Sequence, residues 1–253
     1  MRLNVFLQRA GVGSRREAER LVEQGRIQVN GALALATTPV EARDKVLLDG
    51  KTVSPAHAFL PRLFLLNKPL DVLVTNRDHQ NRATIYELPA LTQPNLPRLM
   101  SVGRLDVNSE GLLVLSTDGP LAQAMMSPDT ALERVYRVRM RGRFTEREID
   151  LMAQGITVEG IRYRGAEFKE EEDKGGRTNS WYRVVLREGK NREIRKLVMH
   201  FGGTVNRLIR VQYGPFHLDK LEAGEMKEVP ARAVMRLIET LEKQGTLKPP
   251  QTA

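Results

Sequence analysis

The sequence predicts an α+β protein with two domains, and three observations support this prediction. The first 58 residues contain two short helix patterns followed by strand and hairpin signals. A break in periodicity with Pro, Ser and Ala spans residues 54–61 and is typical of a linker. Beyond it, strand-like and helix-like patterns alternate. We therefore expect a small domain over 1–58, a larger one over 59–244 and a flexible tail over 245–253.

The N-terminal domain begins with two predicted helices. Apolar residues recur at i, i+3, i+4 and i+7 over Leu3–Ala10, so they share one helix face. Ser14 and Glu17 have the spacing of a capping box that begins a second helix. Arg15 and Arg16 are expected on its exposed side, where they could bind an anionic partner; an ordinary solvated helix is the alternative.

Two hairpin signals follow these helices. Strand patterns at Arg26–Val29 and Lys45–Leu48 each lead into a turn, Asn30-Gly31 and Asp49-Gly50. Asn-Gly and Asp-Gly favour type I′ turns because both central positions need positive φ. The small domain is therefore predicted to be two helices followed by a hairpin-rich sheet.

The larger domain is predicted to contain five main strands and four helices. The strands are expected at Leu63–Leu66, Leu112–Ser116, Val135–Met140, Trp181–Arg187 and Leu208–Tyr213. The helices are expected from Asp118 to Ser127, from Thr145 to Gly155, at Asn191–Phe201 and over 231–244. The charged segment Lys169–Arg177 is expected to be a hairpin or a surface loop.

The charge balance points to a polyanionic partner. Lys and Arg number 40 against 31 Asp and Glu, which gives a formal net charge of +9. Nucleic acid is the first partner to expect from such an excess. A solvated basic surface is the alternative explanation.

Composition also limits the chemistry. The chain has no cysteine, which excludes disulfides and thiol catalysis. Its four histidines, at 57, 79, 200 and 217, are too scattered to indicate a metal site. No apolar run approaches the roughly 20 residues that span a membrane, and the N-terminus lacks the apolar core of a signal peptide. A cytoplasmic protein without membrane contact is expected.

The loop Ser101–Glu110 is the strongest candidate for catalysis. It is polar, contains Gly103 and precedes an apolar strand, and loops held by rigid strands often carry catalytic groups. Within it, Arg104 can bind a phosphate and Asp106 can act as nucleophile or base. A structural ion pair between these two side chains is the alternative.

A second candidate is the basic segment Arg187–Lys196, at the end of a strand and the beginning of a helix. Backbone amides at a helix N-terminus attract anions. Arg192 and Arg195 lie on neighbouring turns of one helix side, where one could contact phosphate while the other pairs with Asp106. A solvated basic face is the alternative. The residues predicted to contact substrate here are Lys190, Asn191, Arg192 and Lys196, and Arg207 and Arg210 could extend the same surface.

Tyr136 is the third candidate. An aromatic side chain that faces a pocket can stack on an extruded base, which contributes roughly 1–3 kcal/mol. The alternation of Tyr136, Val138 and Met140 by itself favours a simple core position.

Two resemblances to known families build on these residues. The 25 residues Leu7–Gly31 resemble the S4 domain, an RNA-binding module of the αL type. Behind it, four motifs occur in the order found in bacterial ribosomal RNA pseudouridine synthases of the RsuA-like family: Leu66–Pro69, Val102–Leu113, Val135–Val138 and Glu188–Leu197. The resemblance covers residues 2–230 and is closest to the large-subunit members. It implies a mixed, mainly antiparallel sheet in the larger domain.

The resemblance implies an activity and assigns roles. Such enzymes convert a uridine in RNA to pseudouridine without a cofactor. By this resemblance Asp106 is the catalytic aspartate, Tyr136 packs against the target base, and Arg195 forms the ion pair with Asp106, with Arg192 as second choice. Leu70–Val72 and Ser127-Pro128 depart from the usual family residues, which affects substrate detail rather than activity.

Several alternatives stay open at this level. The expected target is 23S rRNA, with 16S rRNA as the alternative. A non-catalytic S4-type RNA-binding or ribosome-assembly factor is the competing function. Sequence does not decide between covalent attack by the aspartate and a glycal route, and a monomer is the default expectation.

Overall fold

The computed structural model divides the chain into two units, Met1–Pro61 and Arg62–Lys248. It describes residues 1–13, 15–41, 43–53, 61–76, 78–171 and 179–247. The N-cap predicted at Ser14, most of the predicted linker and the end of the predicted tail lie outside these residues.

The first unit has two helices and a four-stranded sheet of order β2-β1-β3-β4. Its elements are α1 (Leu3–Arg9), α2 (Arg15–Glu23), β1 (Ile27–Val29), β2 (Ala32–Leu33), β3 (Val46–Leu48) and β4 (Lys51–Val53). Both predicted hairpin turns are confirmed, since Asn30, Gly31, Asp49 and Gly50 all have positive φ. The apolar faces of the two helices are buried with the sheet in one core, as the spacing predicted.

The second unit is built around a nine-stranded sheet. Its strands are β5 (Leu63–Lys68), β6 (Met100–Ser101), β7 (Glu110–Ser116), β8 (Arg134–Arg141), β9 (Thr157–Val158), β10 (Ile161–Arg162), β11 (Ala166–Glu171), β12 (Asn179–Leu186), β13 (Thr204–Tyr213), β14 (Phe216–His217) and β15 (Met226–Glu228). Its α-helices are α3 (Gly119–Met126), α4 (Glu146–Gln154), α5 (Glu193–His200) and α6 (Ala231–Lys243), and three short 3-10 turns lie at Ile85–Glu87, Pro89–Leu91 and Pro128–Thr130.

The large sheet is mixed and mainly antiparallel, which confirms the predicted α+β class. Its order is β11-β12-β8-β13-β7-β5-β15, with β14 beside β13 and β6 beside β7. Among the described strands, β7 and β13 are the parallel neighbours. β9 and β10 form a separate two-stranded ribbon.

Both faces of the sheet are covered at β5 and β7, which contain the continuous apolar runs Leu63–Leu66 and Leu112–Leu115. In β7, Leu113 and Leu115 belong to a core that includes α5, while Leu112 and Val114 belong to a core that includes α3 and α6. A strand buried on both faces has no polar alternation. This double packing holds the end of β7, and with it the preceding loop, in a fixed position.

Helix boundaries follow the predicted capping chemistry. Asp118 accepts from the backbone of Leu121 at the beginning of α3, and Thr145 forms a complete capping box with Glu148 at α4. The helix predicted at Asn191–Phe201 begins two residues later, because Arg192 is left-handed with φ 52°. The segment Lys169–Arg177 was expected to be a hairpin or a surface loop, and its first three residues lie in β11, which pairs antiparallel with β12. Its residues 172–177 lie outside the described chain.

Candidate active site

The loop that carries Asp106 is tied to β7 at its beginning and closed by a turn at its end. The Val102 amide donates to the Val114 carbonyl at 2.8 Å, and the Ser109 amide donates to the Asp106 carbonyl at 3.0 Å. Gly103 adopts φ +74°, a left-handed conformation that glycine allows without strain. The Asp106 side chain keeps 30% of its surface exposed and can therefore meet a substrate.

The buried side chain of Lys68 holds the end of the same loop. Its side chain is fully buried at the end of β5, and its ammonium donates to the carbonyls of Pro69 at 2.8 Å and Ser109 at 2.7 Å. Burial lowers the pKa of Lys68 to about 8. Composition gave no sign of this role; the only signal was the position of Lys68 within the motif Leu66–Pro69.

A cavity of about 630 Å³ opens beside Asp106, within the second unit. Six of the predicted site residues line it: Arg104, Asp106, Tyr136, Lys190, Asn191 and Arg192. We call its exposed lining residues Arg104, Lys190, Asn191 and Arg192 the rim, and its buried lining residues Arg134, Tyr136, Glu193 and Arg210 the floor.

The ion pair with Asp106 is formed by Arg192 and not by Arg195, which corrects the first choice made from the sequence. Arg192 Nη1 lies 3.8 Å from Asp106 Oδ2, and the left-handed backbone at Arg192 precedes the first turn of α5. Arg195 lies one turn further along, where it donates to the carbonyls of Asn108 at 2.7 Å and Val205 at 3.4 Å. Arg195 thus links α5 to the turn that follows Asp106.

Other predicted cations are engaged elsewhere. The Lys190 ammonium donates to Glu188 at 2.7 Å and to the Arg162 carbonyl at 2.6 Å. Lys196 lies 3.9 Å from Glu159. Neither ammonium is therefore free for phosphate in this conformation. Arg15 and Arg16 are exposed on α2 of the first unit, as predicted.

Tyr136 serves both the core and the cavity. It is 9% exposed and belongs to the core that α5 covers, yet it also lines the cavity beside Leu186 and Leu208. The two interpretations of Tyr136 drawn from the sequence are therefore compatible, because the residue belongs to the core and also lines the cavity. The apolar surface formed by Tyr136, Leu186 and Leu208 suits the face of a planar base.

The floor also contains charged groups that sequence reasoning missed. Glu193 is 3% exposed; its Oε2 accepts from the Lys190 amide at 3.1 Å and its Oε1 has no partner in the described chain. Burial, with the nearby charge of Glu188, raises the pKa of Glu193 to about 8. Its carboxyl is thus mostly protonated at neutral pH.

Arg210 was expected on a basic surface together with Arg207, and this is wrong. Arg207 is exposed and paired with Glu110, whereas Arg210 is only 2% exposed. In a strand, side chains two positions apart point to the same face, so the Arg210 side chain lies on the inner face together with Leu208. Gly111 allows β7 and β13 to approach closely at this point, because a Cβ there would overlap the backbone carbonyl of Arg210.

The described residues contain no helix long and apolar enough to cross a membrane. They also contain no group of three or more His, Cys, Asp or Glu side chains placed to hold a metal ion.

The arrangement suits a nucleotide whose base enters the cavity. A carboxylate beside a guanidinium stands at the mouth, an aromatic ring lies on the floor, and exposed arginines surround the opening. Arginine at the opening can bind RNA phosphates. A carboxylate at the mouth of the cavity can react with the sugar while the base lies against the Tyr136 ring.

Family models match both units. The model described as RNA pseudouridylate synthase matches residues 62–200, which is more than half of the chain. The model described as S4 domain matches residues 1–46.

Curated relatives align with almost the whole chain. An uncharacterized RNA pseudouridine synthase of Rickettsia conorii is 40% identical over 229 residues, or 90% of this chain and 96% of the relative. Ribosomal large subunit pseudouridine synthase B of Xanthomonas campestris is 39% identical and aligns with 98% of this chain and 52% of its own. The protein of that name from Pseudomonas aeruginosa is 37% identical, over 98% of this chain and 63% of its own.

A solved structure shares the fold. The crystal structure of a pseudouridylate synthase superposes with a TM-score of 0.64 at 24% identity, covering 94% of this chain and all of the other. The family model and the relatives place the chain in the RNA pseudouridylate synthase family, with an S4 domain ahead of the synthase domain.

Proposed function

We propose that this enzyme converts a uridine of large-subunit ribosomal RNA to pseudouridine, with Asp106 as the catalytic carboxylate. The observation that carries the assignment is that Asp106, Tyr136 and Arg192 come from three distant segments and line one nucleotide-sized cavity. The large-subunit target is supported by the two relatives of that name, which align with 98% of this chain.

Each group has a distinct role in this proposal. The target nucleotide leaves its stack, at a cost of a few kcal/mol, and its base lies against Tyr136. Asp106 acts on the ribose, either by attacking C1′ or by removing the C2′ proton. Arg195 is a positioning residue, because it holds the Asn108 carbonyl two residues beyond Asp106.

RNA phosphates are bound outside the cavity. Arg104 and Arg192 at the rim contact the backbone of the target strand, and Arg15 and Arg16 contribute from the S4 domain. Lys190, Asn191 and Lys196 extend the contact surface once RNA displaces their present partners. The enzyme works as a monomer in the bacterial cytoplasm, where ribosomal RNA is made.

The test is a map of pseudouridines in rRNA from cells that lack the protein, read by carbodiimide labelling and primer extension. We expect one site of 23S rRNA to be lost and then restored by the wild type. Asp106→Asn should not restore it, whereas the matched control Asp150→Asn, on the exposed side of α4, should.

Three results would contradict parts of this proposal. Restoration by Asp106→Asn would remove Asp106 from the chemistry. A lost site in 16S rRNA would keep the reaction and change the target. If no rRNA site is lost, the protein acts on another RNA or as an assembly factor.

A further inference from the structure

Arg210 is a buried cation with unused hydrogen-bond donors at the floor of the cavity. Its side chain is 2% exposed, its Nε donates to the Leu112 carbonyl at 2.7 Å, and its Nη2 has no acceptor in the described chain. A guanidinium has five N–H donors, and burying them unpaired is costly. The free donors therefore indicate an acceptor that arrives with the substrate.

The Arg210 guanidinium is held rigidly for such a contact. Its Cζ lies 5.0 Å from the centre of the Tyr213 ring, and the Arg134 guanidinium lies 4.9 Å from the same ring. The Tyr213 hydroxyl donates to the Met125 carbonyl at 2.9 Å and accepts from Arg134 at 3.1 Å. Donors fixed in advance stabilise a developing charge without reorganisation.

Neither Arg134 nor Arg210 forms an ion pair with a carboxylate of the described residues. Every hydrogen bond that Arg134 and Arg210 make within the described residues goes to a backbone carbonyl or to the Tyr213 hydroxyl. An electron-rich oxygen, or a group that becomes negative during reaction, is the ligand that this floor favours.

The position of Arg210 identifies which part of a nucleotide it meets. Arg210 is the cross-strand partner of Tyr136 in the β8–β13 pair, so both side chains lie on the same face of the sheet. Tyr136 faces the base in the proposed function. The RNA backbone stays at the mouth, beside the exposed Arg104 and Arg192, and the base is the part that reaches the floor.

We propose that Arg210 donates a hydrogen bond from its terminal amino groups to a carbonyl oxygen of the target uracil and stabilises the uracil while it is detached from the ribose. This inference rests on the proposed function of the same cavity, and it adds the residue that binds the leaving group.

The chemistry of the reaction explains the value of such a contact. When the C1′–N1 bond breaks, its electron pair leaves with N1 and is shared with O2 and O4. C5 then bonds to C1′ and loses its hydrogen as a proton, while N1 takes up a proton, so no other reactant is consumed. A fixed cation at a carbonyl lowers the energy of the intermediate anion.

One donor also serves both orientations of the base. A half-turn of the ring about the axis through N3 and C6 exchanges N1 with C5, and it exchanges O2 with O4. A carbonyl oxygen therefore occupies the same place before and after the turn. Arg210 keeps its hydrogen bond in the substrate and in the product.

The first experiment compares Arg210→Met, Arg210→Lys and the control Arg139→Met, which lies on the exposed face of β8. We expect Arg210→Met to lower the single-turnover rate constant at saturating RNA by about 10²–10³-fold, as for loss of an oxyanion donor. Its Kd for RNA should change little. The rate constant should fall less in Arg210→Lys, and Arg139→Met should have the wild-type rate constant.

A second experiment begins with the wild-type enzyme, and this part of it does not depend on the folding of a variant. RNA carrying 2-thiouridine or 4-thiouridine at the target position replaces each carbonyl oxygen by sulfur, a weaker acceptor. Both substitutions should slow the wild type, and both effects should shrink in Arg210→Met, as in a double-mutant cycle.

The outcomes separate this inference from the proposed function. A folded Arg210→Met enzyme with the wild-type rate, or a variant that loses RNA affinity at an unchanged rate, would overturn the uracil contact. Equal rates for uridine and both thiouridines in the wild type would do so as well. An active Asp106→Asn enzyme would instead overturn the assignment of Asp106.

Discussion

The rim and the floor of the cavity carry the same kind of charge in opposite environments. At the rim, Arg104 and Arg192 are exposed, and the Arg192 contact with Asp106 is a loose 3.8 Å pair. At the floor, Arg134 and Arg210 are buried and held by carbonyls and the Tyr213 ring. Exposed charges are screened by salt and move, whereas buried ones are neither screened nor free to move.

This difference assigns separate tasks to the two regions. An exposed ion pair contributes about 0–1 kcal/mol, so rim cations are suited to holding RNA and not to fixing Asp106. Buried groups with locked side chains are the ones that position reacting atoms. Rim variants should therefore change affinity, and floor or buried variants should change the rate or the stability of the enzyme.

The largest effect expected from this comparison separates Arg195 from Arg192. Arg195 is half-buried and bonds the Asn108 carbonyl, so Arg195→Gln frees the turn that carries Asp106. A displacement of about 1 Å can cost 10²-fold in rate. We expect a loss of about 100-fold in the single-turnover rate constant for Arg195→Gln and less than about tenfold for Arg192→Gln.

The same kinetics would expose an error in this assignment. Single-turnover rates and Kd for a 23S rRNA fragment should be measured for both variants, with Arg139→Gln as control. If Arg192→Gln slows the reaction more than Arg195→Gln does, the exposed ion pair orients Asp106 and the distinction between rim and buried groups fails for this residue.

An intermediate effect concerns the buried carboxyl of Glu193. Its pKa in the folded protein is raised to about 8, chiefly by burial, from an ordinary value of 4.5. Between these two pH values the folded state binds more protons than the unfolded state. The Glu193 carboxyl therefore makes its full contribution to the stability of the folded state below pH 4.5, and this contribution is lost as the pH rises through 8.

Glu193→Gln should remove this pH dependence, because an amide cannot ionise. Between pH 5 and pH 8, the free energy of unfolding of the variant should rise by on the order of 2 kcal/mol relative to that of the wild type. Urea unfolding at several pH values, followed by fluorescence of the single Trp181 in β12, measures the second unit. Glu239→Gln on the exposed side of α6 is the control. Parallel pH profiles for wild type and Glu193→Gln would mean that Glu193 titrates normally.

The sequence predicted the elements whose signals are local. The Thr145 capping box, the Asn30-Gly31 turn and the apolar face of Leu3–Arg9 each depend on residues a few positions apart. The motif around Asp106 was equally visible, because its glycine, arginine and aspartate are adjacent in the chain.

The buried polar contacts could not be predicted in this way, since their partners are distant in sequence. The Lys68 side chain donates a hydrogen bond to the Ser109 carbonyl. The Arg210 side chain donates one to the Leu112 carbonyl on the neighbouring parallel strand, although the two residues are 98 positions apart in the sequence. The choice between Arg192 and Arg195 depended on where α5 begins, and the left-handed backbone of Arg192 had no sequence signal. Short strands such as β9 and β10 have two residues each and show no alternation.

The smallest effect is expected at the S4 domain, where the exposed cations resemble those of the rim. Arg15 and Arg16 lie exposed on α2, and Arg15 Nε donates to the Gln8 side chain at 3.1 Å. The double substitution Arg15→Gln/Arg16→Gln should weaken rRNA binding several-fold and reduce the slope of log K against log salt by about one to two units. The single-turnover rate constant at saturating RNA should stay at the wild-type value.

Arg43→Gln is the matched control in the same unit, because Arg43 is 86% exposed and paired with Glu41. Filter binding between low and physiological salt measures the slopes for all three proteins. An unchanged slope in the double variant would show that this face of α2 does not touch RNA. A lower rate at saturation would show that exposed cations of the S4 domain act on the chemical step, which would end the separation between surface affinity and buried chemistry.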